Sequence, residues 1–519
     1  MNPSAKNTDA RFSAVNHSSA EMIACSAMTA ARAAQARWAA TPLSERLARV
    51  RELRRLIAKH APLLAEASAS ARQRPALESL TAEVLPLAEA CRFLERDAAK
   101  LLAPRRLGSR GLPLWLSGVR SEVRREPCGV VLIIGPGNYP LLLPGVQLIQ
   151  ALVAGNAVLL KPGVGGSFAA RALIEIIHLA GFDSHLVALL PESTEAARSA
   201  IEARPDKVLF TGSAATGENI LAQLAPHLIP ATMELSGCDA VIVRADADLD
   251  LVVKALAFGL KLNNGATCMA PKRVFVHRSI ATELEGRLAR AFAPGGSRRE
   301  SAQASSSDEV SRLTSAATNS LRPLLDEALT HGAHFITGGL AGDGSVQTPV
   351  ILAGVSPSAR LLREDIFAPV LALVTVSDDA DAISLVNDCR YALGASIFSL
   401  DEPTARAIAA SINVGVVSIN DLIIPTADAR LPFGGRQRSG FGVTRGAEGL
   451  LELTTPKVIT ITRSKFRPAF DPPHPKDEAM FQAYLEVTHG HGLFRRARAL
   501  VTLVKSLSGR TKHPKHPTP

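Results

Sequence analysis

Between residues 129 and 224 the chain alternates two apolar patterns. Short runs that are apolar at nearly every position (129–134, 157–160, 186–189 and 207–210) are separated by stretches in which apolar residues recur every three or four positions (141–153, 168–179, 195–203 and 215–224). The first pattern predicts strands and the second amphipathic helices, so their alternation predicts a parallel sheet covered on both faces. A second αβ alternation runs from about 241 to 443, with helical spacing at 249–262 and 321–331 and strand-like runs at 370–376 and 414–419. The fold class is α/β, with a second domain following the first.

Residues 19–100 are rich in Ala, Leu, Arg and Glu and predict helices broken near Pro42, Pro62 and Pro75. Residues 101–125 are irregular and basic, end in a strand-like run at 118–125, and predict an excursion from the main domain. Residues 294–311 are rich in Ser, Gly and Arg and predict a mobile surface loop. Near the C-terminus Leu493, Phe494, Ala497, Leu500, Val501 and Val504 recur at helical spacing, while Arg495, Arg498, Thr502 and Lys505 lie largely away from them. This is a basic amphipathic helix, suited either to an anionic membrane surface or to packing against a second subunit.

A chain of 519 residues exceeds one core, and 47% hydrophobic with 20% charged residues is the composition of a globular protein able to bury a large site. The formal charge of +10 raises the question of a nucleic-acid partner. Seven Lys and Arg with no acidic residue fall between 493 and 519, however, leaving +3 for the remainder. Basicity belongs to the tail, and no nucleic acid is expected. Six scattered cysteines, no CxxC pair and no His cluster at metal spacing indicate neither a disulfide framework nor a metal, which fits a reducing cytoplasm. Residues 1–13 are polar, unlike a signal peptide, and Pro144, Gln147, Gln150 and Asn156 interrupt the apolar stretch 141–160, which favours a core helix, loop and strand over a membrane span.

Candidate chemistry lies in the loops. Asn263-Asn264-Gly265-Ala266-Thr267-Cys268-Met269-Ala270-Pro271 leads into the apolar run 274–276. Its small and polar residues would leave Cys268 accessible and among backbone N–H donors, a setting for a nucleophile; a buried packing cysteine is the plain alternative. Asn138, in Gly135-Pro136-Gly137-Asn138-Tyr139-Pro140, sits where strand passes to helix and is either a turn residue or an oxyanion donor. Lys161 ends another strand, as a surface lysine or a partner for a cofactor ribose. Thr211-Gly212-Ser213-Ala214-Ala215-Thr216-Gly217 opens a helix whose amides suit a pyrophosphate, unless Ser213 is simply its cap; the stretch is neither GxGxxG nor a P-loop. Glu234, in Met233-Glu234-Leu235-Ser236-Gly237, ends an apolar strand as a solvated carboxylate or a general base.

In their order and spacing these motifs resemble the aldehyde dehydrogenase superfamily over roughly residues 20–464. The resemblance implies that Cys268 is the nucleophile, Asn138 the oxyanion donor and Glu234 the base, with Pro136, Lys161, Gly212, Ser213, Gly217 and Leu235 around NAD or NADP. It makes Glu364-Asp365-Ile366-Phe367-Ala368-Pro369 the nicotinamide-ribose motif, which adds Asp365 and Phe367 to the cofactor set, and Leu431-Pro432-Phe433-Gly434-Gly435 the late structural motif. It implies a Rossmann-like NAD(P)-binding domain (1–105 and 126–235), a catalytic domain (236–451), oligomerisation segments (106–125 and 452–464) forming a small β-sheet, and a basic C-terminal extension (465–519). A homodimer or homotetramer is expected, and no metal.

Four positions depart from the family pattern. Asp365 stands where Glu is usual, Ser236 replaces a glycine, Gly137 replaces a bulky aromatic, and Gly163-Val164 replaces a Ser-Glu pair whose carboxylate would meet the adenosine ribose. With no carboxylate at Val164, NADP is expected to bind within about tenfold of NAD, about 1.4 kcal/mol. The implied activity is oxidation of an aldehyde to a carboxylic acid with NAD(P)+ through a cysteine thiohemiacetal and thioester. An acylating, coenzyme A-dependent relative would generally lack the base at Glu234. A nonenzymatic or weakly active cofactor-binding scaffold and a membrane-attached or partner-tethered aldehyde dehydrogenase are the other two rival readings.

Overall fold

The runs 130–134 and 157–161 are buried at every residue, which requires cover on both faces of the sheet they form. In the computed structural model, which describes residues 4–70, 72–113, 116, 118–293, 311–312, 315–343, 345–463, 470 and 472–510, that sheet has six strands. Their order is Gly440–Phe441, Ala231–Leu235, Lys207–Gly212, Val130–Ile134, Ala157–Lys161, Val187–Leu189. The last five are parallel and alternate with helices Leu142–Ala154, Ser167–Leu179, Thr194–Glu202 and Ala214–Leu224. The chain winds outward from Val130–Ile134 and then returns to its other side at Lys207–Gly212. A topological switch point therefore lies between these two strands, with a crevice at their C-terminal ends. The two-residue antiparallel strand Gly440–Phe441 closes one edge. Helix Leu142–Ala154 is buried along its whole length, which accounts for its apolar sequence. Among the described residues no helix is long and apolar enough to cross a membrane.

Only Ser236, Gly237 and Cys238 separate Ala231–Leu235 from Asp239–Val243, the strand that enters a second, eight-stranded sheet. Its main path runs 311–312, 346–353, 370–376, 271–277, 239–243, 394–398, 416–419, and 334–340 pairs with 346–353 as an antiparallel edge. The central strands are parallel, and apolar clusters fill both faces.

The first helices, Ser4–Ala40, Leu43–Lys59 and Ala61–Ser70, break beside Pro42 and Pro62, and the next begins after Pro75. The chain divides into two compact units, 1–104 with 124–457 and 105–123 with 458–519, and both large sheets belong to the first. The expected boundary between 235 and 236 is thus a crossing between sheets inside one unit. In the second unit Arg105–Leu107 pairs antiparallel with residues 121–123, a strand too short to stand out in the sequence. The three-stranded sheet to which they belong also contains Thr454–Thr462. The mobile loop expected at 294–311 lies outside the described residues except for Ser311.

Candidate active site

The crossing between the sheets brings Glu234 to Cys268. Gly237 passes so close to the cysteine loop that an added Cβ would stand 2.9 Å from the Cys268 carbonyl oxygen, which is why a side chain is excluded there. Cys268 lies between helix Leu249–Lys261 and strand Pro271–His277, beside Met269, Leu393 and Phe433. Asn263 (φ 48°) and Asn264 (φ 51°) turn the backbone through the left-handed region before it. The buried Lys272 ammonium donates to the carbonyls of Gly265 (3.2 Å) and Ala368 (3.0 Å), tying the loop to the 364–369 stretch. Its own pKa is drawn down to about 8 by that burial.

Cys268 as a residue keeps some exposed surface, but its thiol is densely surrounded, and desolvation, with the charges of Glu234 and Asp239, pushes its pKa up to about 12. It is therefore protonated here and needs a base. Glu234 is buried, and burial raises its pKa against the opposing effects of Arg445 and Thr444. Its Oε2 accepts from the Thr444 hydroxyl (2.9 Å), whereas its buried Oε1 has no hydrogen-bond partner. Thr444 is fixed by two backbone hydrogen bonds to Phe433 (both 2.7 Å), and the Arg445 guanidinium lies 4.5 Å from the Phe433 ring centroid. The late motif around Phe433 thus supports both thiol and carboxylate.

Asn138 completes the group. Its Nδ2 donates to the Ala266 carbonyl (3.0 Å), two residues before Cys268, and its Oδ1 accepts from the Tyr139 amide (3.0 Å). An Asn amide has two N–H groups, so one remains to donate elsewhere. The Tyr139 hydroxyl is 2.6 Å from the Thr267 hydroxyl, a second tie between the two loops.

The cofactor candidates fall in two places. Pro136, Gly212 and Ser213 border the switch-point crevice, where Ser213 caps helix Ala214–Leu224. Ser213 is therefore the cap, and that leaves the helix N-terminus able to face an anion as well. An added Cβ at Gly217 would come 2.8 Å from Leu235, so these two residues pack the helix against the sheet. Asp365 has a buried Oδ1 with no partner, and its pKa is raised by burial against a hydrogen bond from Ser236 and the Lys272 charge. Such an orphaned acceptor fits a ribose hydroxyl. Phe367 is half-exposed nearby in sequence. Lys161 stands apart from the catalytic group, three strands from Glu234 or about 14 Å at the usual spacing, and adjoins the Pro136 loop, where its carbonyl accepts the Gly135 amide (2.9 Å).

Two departures acquire reasons. A Cβ on Gly137 would lie 2.9 Å from the Val164 carbonyl oxygen, and one on Gly163 only 2.2 Å from the Pro136 carbonyl carbon, so loops 135–140 and 162–166 abut as bare backbone. The bulky aromatic is missing because a neighbouring loop lies against its position. Val164 brings no carboxylate to this turn, but one arrives from the neighbouring strand's loop. Glu192, from the loop after Val187–Leu189, accepts the amides of Gly165 (2.8 Å) and Ser167 (2.7 Å), and its charge reaches Lys161. No local pattern signals this contact, nor the roles of Arg74 and Glu83, which hold the Asn138 loop from behind. Arg74 donates to the Asn138 carbonyl (3.3 Å), and Glu83 accepts the amides of Leu141 (2.8 Å) and Leu142 (2.9 Å).

The aldehyde dehydrogenase family profile matches residues 1–459. A 4,4'-diapolycopene aldehyde oxidase of Methylomonas sp is 30% identical over 475 residues, 91% of this chain and 88% of that one. Betaine aldehyde dehydrogenase from Staphylococcus aureus, solved with NAD+, superposes with a TM-score of 0.77 at 25% identity, covering 86% of this chain and 89% of that one. The NADP-dependent glyceraldehyde-3-phosphate dehydrogenase of Bacillus halodurans C-125, solved with NADP, gives 0.76 at 29% identity, with 86% and 92% covered. With fold, motif order and near full-length similarity in agreement, the chain belongs to the aldehyde dehydrogenase family.

Proposed function

We propose that this enzyme oxidises an aldehyde to its carboxylic acid with NAD+ or NADP+, using Cys268 as nucleophile, Asn138 as oxyanion donor and Glu234 as base. The observation that carries the reading is the convergence of three distant loops: Asn138 bonds to Ala266, Gly237 abuts Cys268, and the Glu234 charge acts on the thiol. The Cys268 thiol gives its proton to solvent or to Glu234, the thiolate adds to the carbonyl carbon, and the free Asn138 N–H with the Cys268 amide holds the resulting oxyanion, an arrangement worth about 3 kcal/mol per donor. NAD(P)+, when bound, supplies the acceptor for the hydride that leaves the thiohemiacetal carbon. Glu234 then takes a proton from water as that water attacks the thioester, the C–S bond breaks and the acid leaves. The unpartnered Oε1 is the atom suited to that proton. The first sheet is the cofactor side and the second carries the cysteine, with Asp365 toward the nicotinamide ribose. A panel of aliphatic and aromatic aldehydes with both cofactors tests the reading. Protein that binds cofactor yet reduces it with none of the aldehydes would leave only the scaffold.

Thr444 lowers the Glu234 pKa by hydrogen bonding to its carboxylate. Because a base works above its pKa, the acidic limb of deacylation should move to higher pH in Thr444→Val. An unmoved limb would mean that Glu234 is not the group titrating.

The small sheet of 105–107, 119–127 and 454–462 is the part of the chain we assign to subunit contact in a homodimer or homotetramer. The C-terminal extension supports a further reading, contact with an anionic membrane surface. Helix Leu493–Arg510 follows helix Asp477–His489, and Met480, Ala483 and Leu503 form a buried cluster. The apolar stripe is not that packing face. Leu493, Phe494, Leu500, Val501 and Val504 are all exposed, flanked by Arg495, Arg496, Arg498 and Lys505, with no acidic residue in the helix. An outward apolar arc between cations suits an anionic headgroup layer. Truncation after Pro468 should abolish sedimentation with phosphatidylglycerol vesicles. Equal sedimentation of both forms excludes the idea, and loss of oligomerisation without vesicle binding would assign the stripe to a second subunit.

A further inference from the structure

Discrimination between NAD and NADP turns on the 2′-phosphate of the adenosine ribose, and the chain's own charges at the Lys161 end of the sheet decide how such a group is received. Val187–Leu189 lies beside Ala157–Lys161, with Leu189 opposite Leu160, so the segments leaving both strands share one edge of the crevice. From the first of these segments Glu192 reaches the second. Its Oε2 accepts the Gly165 amide and its Oε1 the Ser167 amide, at 2.8 and 2.7 Å. Ser167 opens a 13-residue helix, and the residues before it form the turn left without a carboxylate by Val164, itself 81% exposed. Amides at a helix N-terminus attract an anion, and here a side chain of the protein already occupies two of them.

Glu192 is an effective fixed charge. Burial works to raise its pKa, but hydrogen bonds from Ser167 and Gly165 and the charge of Lys161 outweigh burial and leave it low. Lys161 is itself lowered by burial, with Glu192 opposing that shift. The lysine cation is thus partly neutralised from within the protein.

We propose that Glu192 is the residue that selects against the 2′-phosphate, supplying from the neighbouring strand the negative charge that Val164 lacks and making NAD the preferred cofactor. This rests on the placement of the adenosine ribose at Lys161. A 2′-phosphate arriving there would meet a like charge with its amide partners already taken, the repulsive kind of specificity that costs the wrong ligand without improving the right one. Near-equal binding, expected from Val164 alone, is thereby reversed.

Calorimetric titration of NAD and NADP without aldehyde tests this in four proteins. Wild type should bind NAD at least about tenfold more tightly than NADP, about 1.4 kcal/mol. Glu192→Gln, which keeps the size and one acceptor but loses the charge, should narrow that ratio by about tenfold through tighter NADP binding, with NAD changed less than about threefold. Glu202→Gln, a surface carboxylate in the following helix, should leave the ratio alone. Lys161→Ala should weaken both cofactors. Equal binding by wild type overturns the proposal without any variant. If Lys161→Ala weakens both cofactors but Glu192→Gln leaves the ratio where it was, the ribose placement stands and the role of Glu192 falls. If Lys161→Ala changes neither, the ribose lies elsewhere and both ideas fall together.

Discussion

Cys268→Ala is expected to abolish aldehyde-dependent NAD(P)H formation and covalent labelling by aldehyde together, because no other group stands ready to form the carbon–sulfur bond. Glu234→Gln should part the two half-reactions. It preserves the size of the side chain and its partner Thr444 but removes the base, so one burst of NAD(P)H should precede slow turnover while a thioester accumulates on Cys268, visible by mass spectrometry after quenching. Turnover should fall by roughly 10²–10⁴-fold, the usual contribution of a positioned base. The structure also offers a rival outcome. The thiol is pushed up to about 12, partly by the Glu234 charge, so something must take its proton before attack, and Glu234, whose charge acts on the thiol, is the candidate acceptor. In that case Glu234→Gln would show neither burst nor adduct while still binding cofactor, and the base would act before hydride transfer rather than after it.

Features that depend on local pattern are legible in the sequence, whereas those that depend on distant pairing are not. The strand–helix alternation between 129 and 224 appears within a residue or two of where periodicity places it, since each strand is an apolar run and each helix has its own buried stripe. Strands of two or three residues, Gly440–Phe441 and Arg105–Leu107, carry no period and are invisible to such a reading. The order of the second sheet joins strands up to 155 residues apart, such as Asp239–Val243 and Gly394–Phe398, and no local signal specifies that choice. The same division runs through the site. Cys268, Glu234 and Asn138 sit in motifs that can be read one loop at a time. Thr444 meets Glu234 across 210 positions, Arg74 meets Asn138 across 64, and Glu192 meets Gly165 across 27, so each looks like an ordinary surface residue until the fold joins them. The C-terminal helix shows a subtler limit. Its amphipathic stripe is plain in the sequence, but only the structure shows that the stripe faces outward while Leu503 packs inward.

The other large effect should come from Arg74 and Glu83, which form an ion pair with side chains only 2% and 0% exposed. Glu83 lies in the π-helical turn Leu80–Val84, between helices Ala76–Ser79 and Leu85–Leu101; such a local widening of a helix often marks a functional position. Its carboxylate accepts from Arg74, Ser68 and the amides of Leu141 and Leu142, while Arg74 also bonds to Ser79 (2.7 Å) and the Asn138 carbonyl and lies 5.3 Å from the Tyr139 ring centroid. Glu78, just before the turn, accepts the Asn263 amide (2.8 Å), so one helical segment braces both the asparagine and the cysteine loops. Arg74→Met would leave Glu83 buried without its partner, and loss of one member of a buried pair typically costs about 3–5 kcal/mol. The unfolding midpoint should fall accordingly. Arg74→Met with Glu83→Leu removes both charges and should recover part of that stability, since a buried pair can often be replaced by apolar side chains at little cost. Activity should not follow. With the Asn138 carbonyl and the Leu141 and Leu142 amides released, the oxyanion donor loses its fixed position, and kcat should remain about tenfold or more below wild type in the double variant even at temperatures where it is fully folded. A double variant that regained stability and kcat together would show that the pair serves folding alone, and an Arg74→Met protein as stable as wild type would show that Glu83 finds another partner.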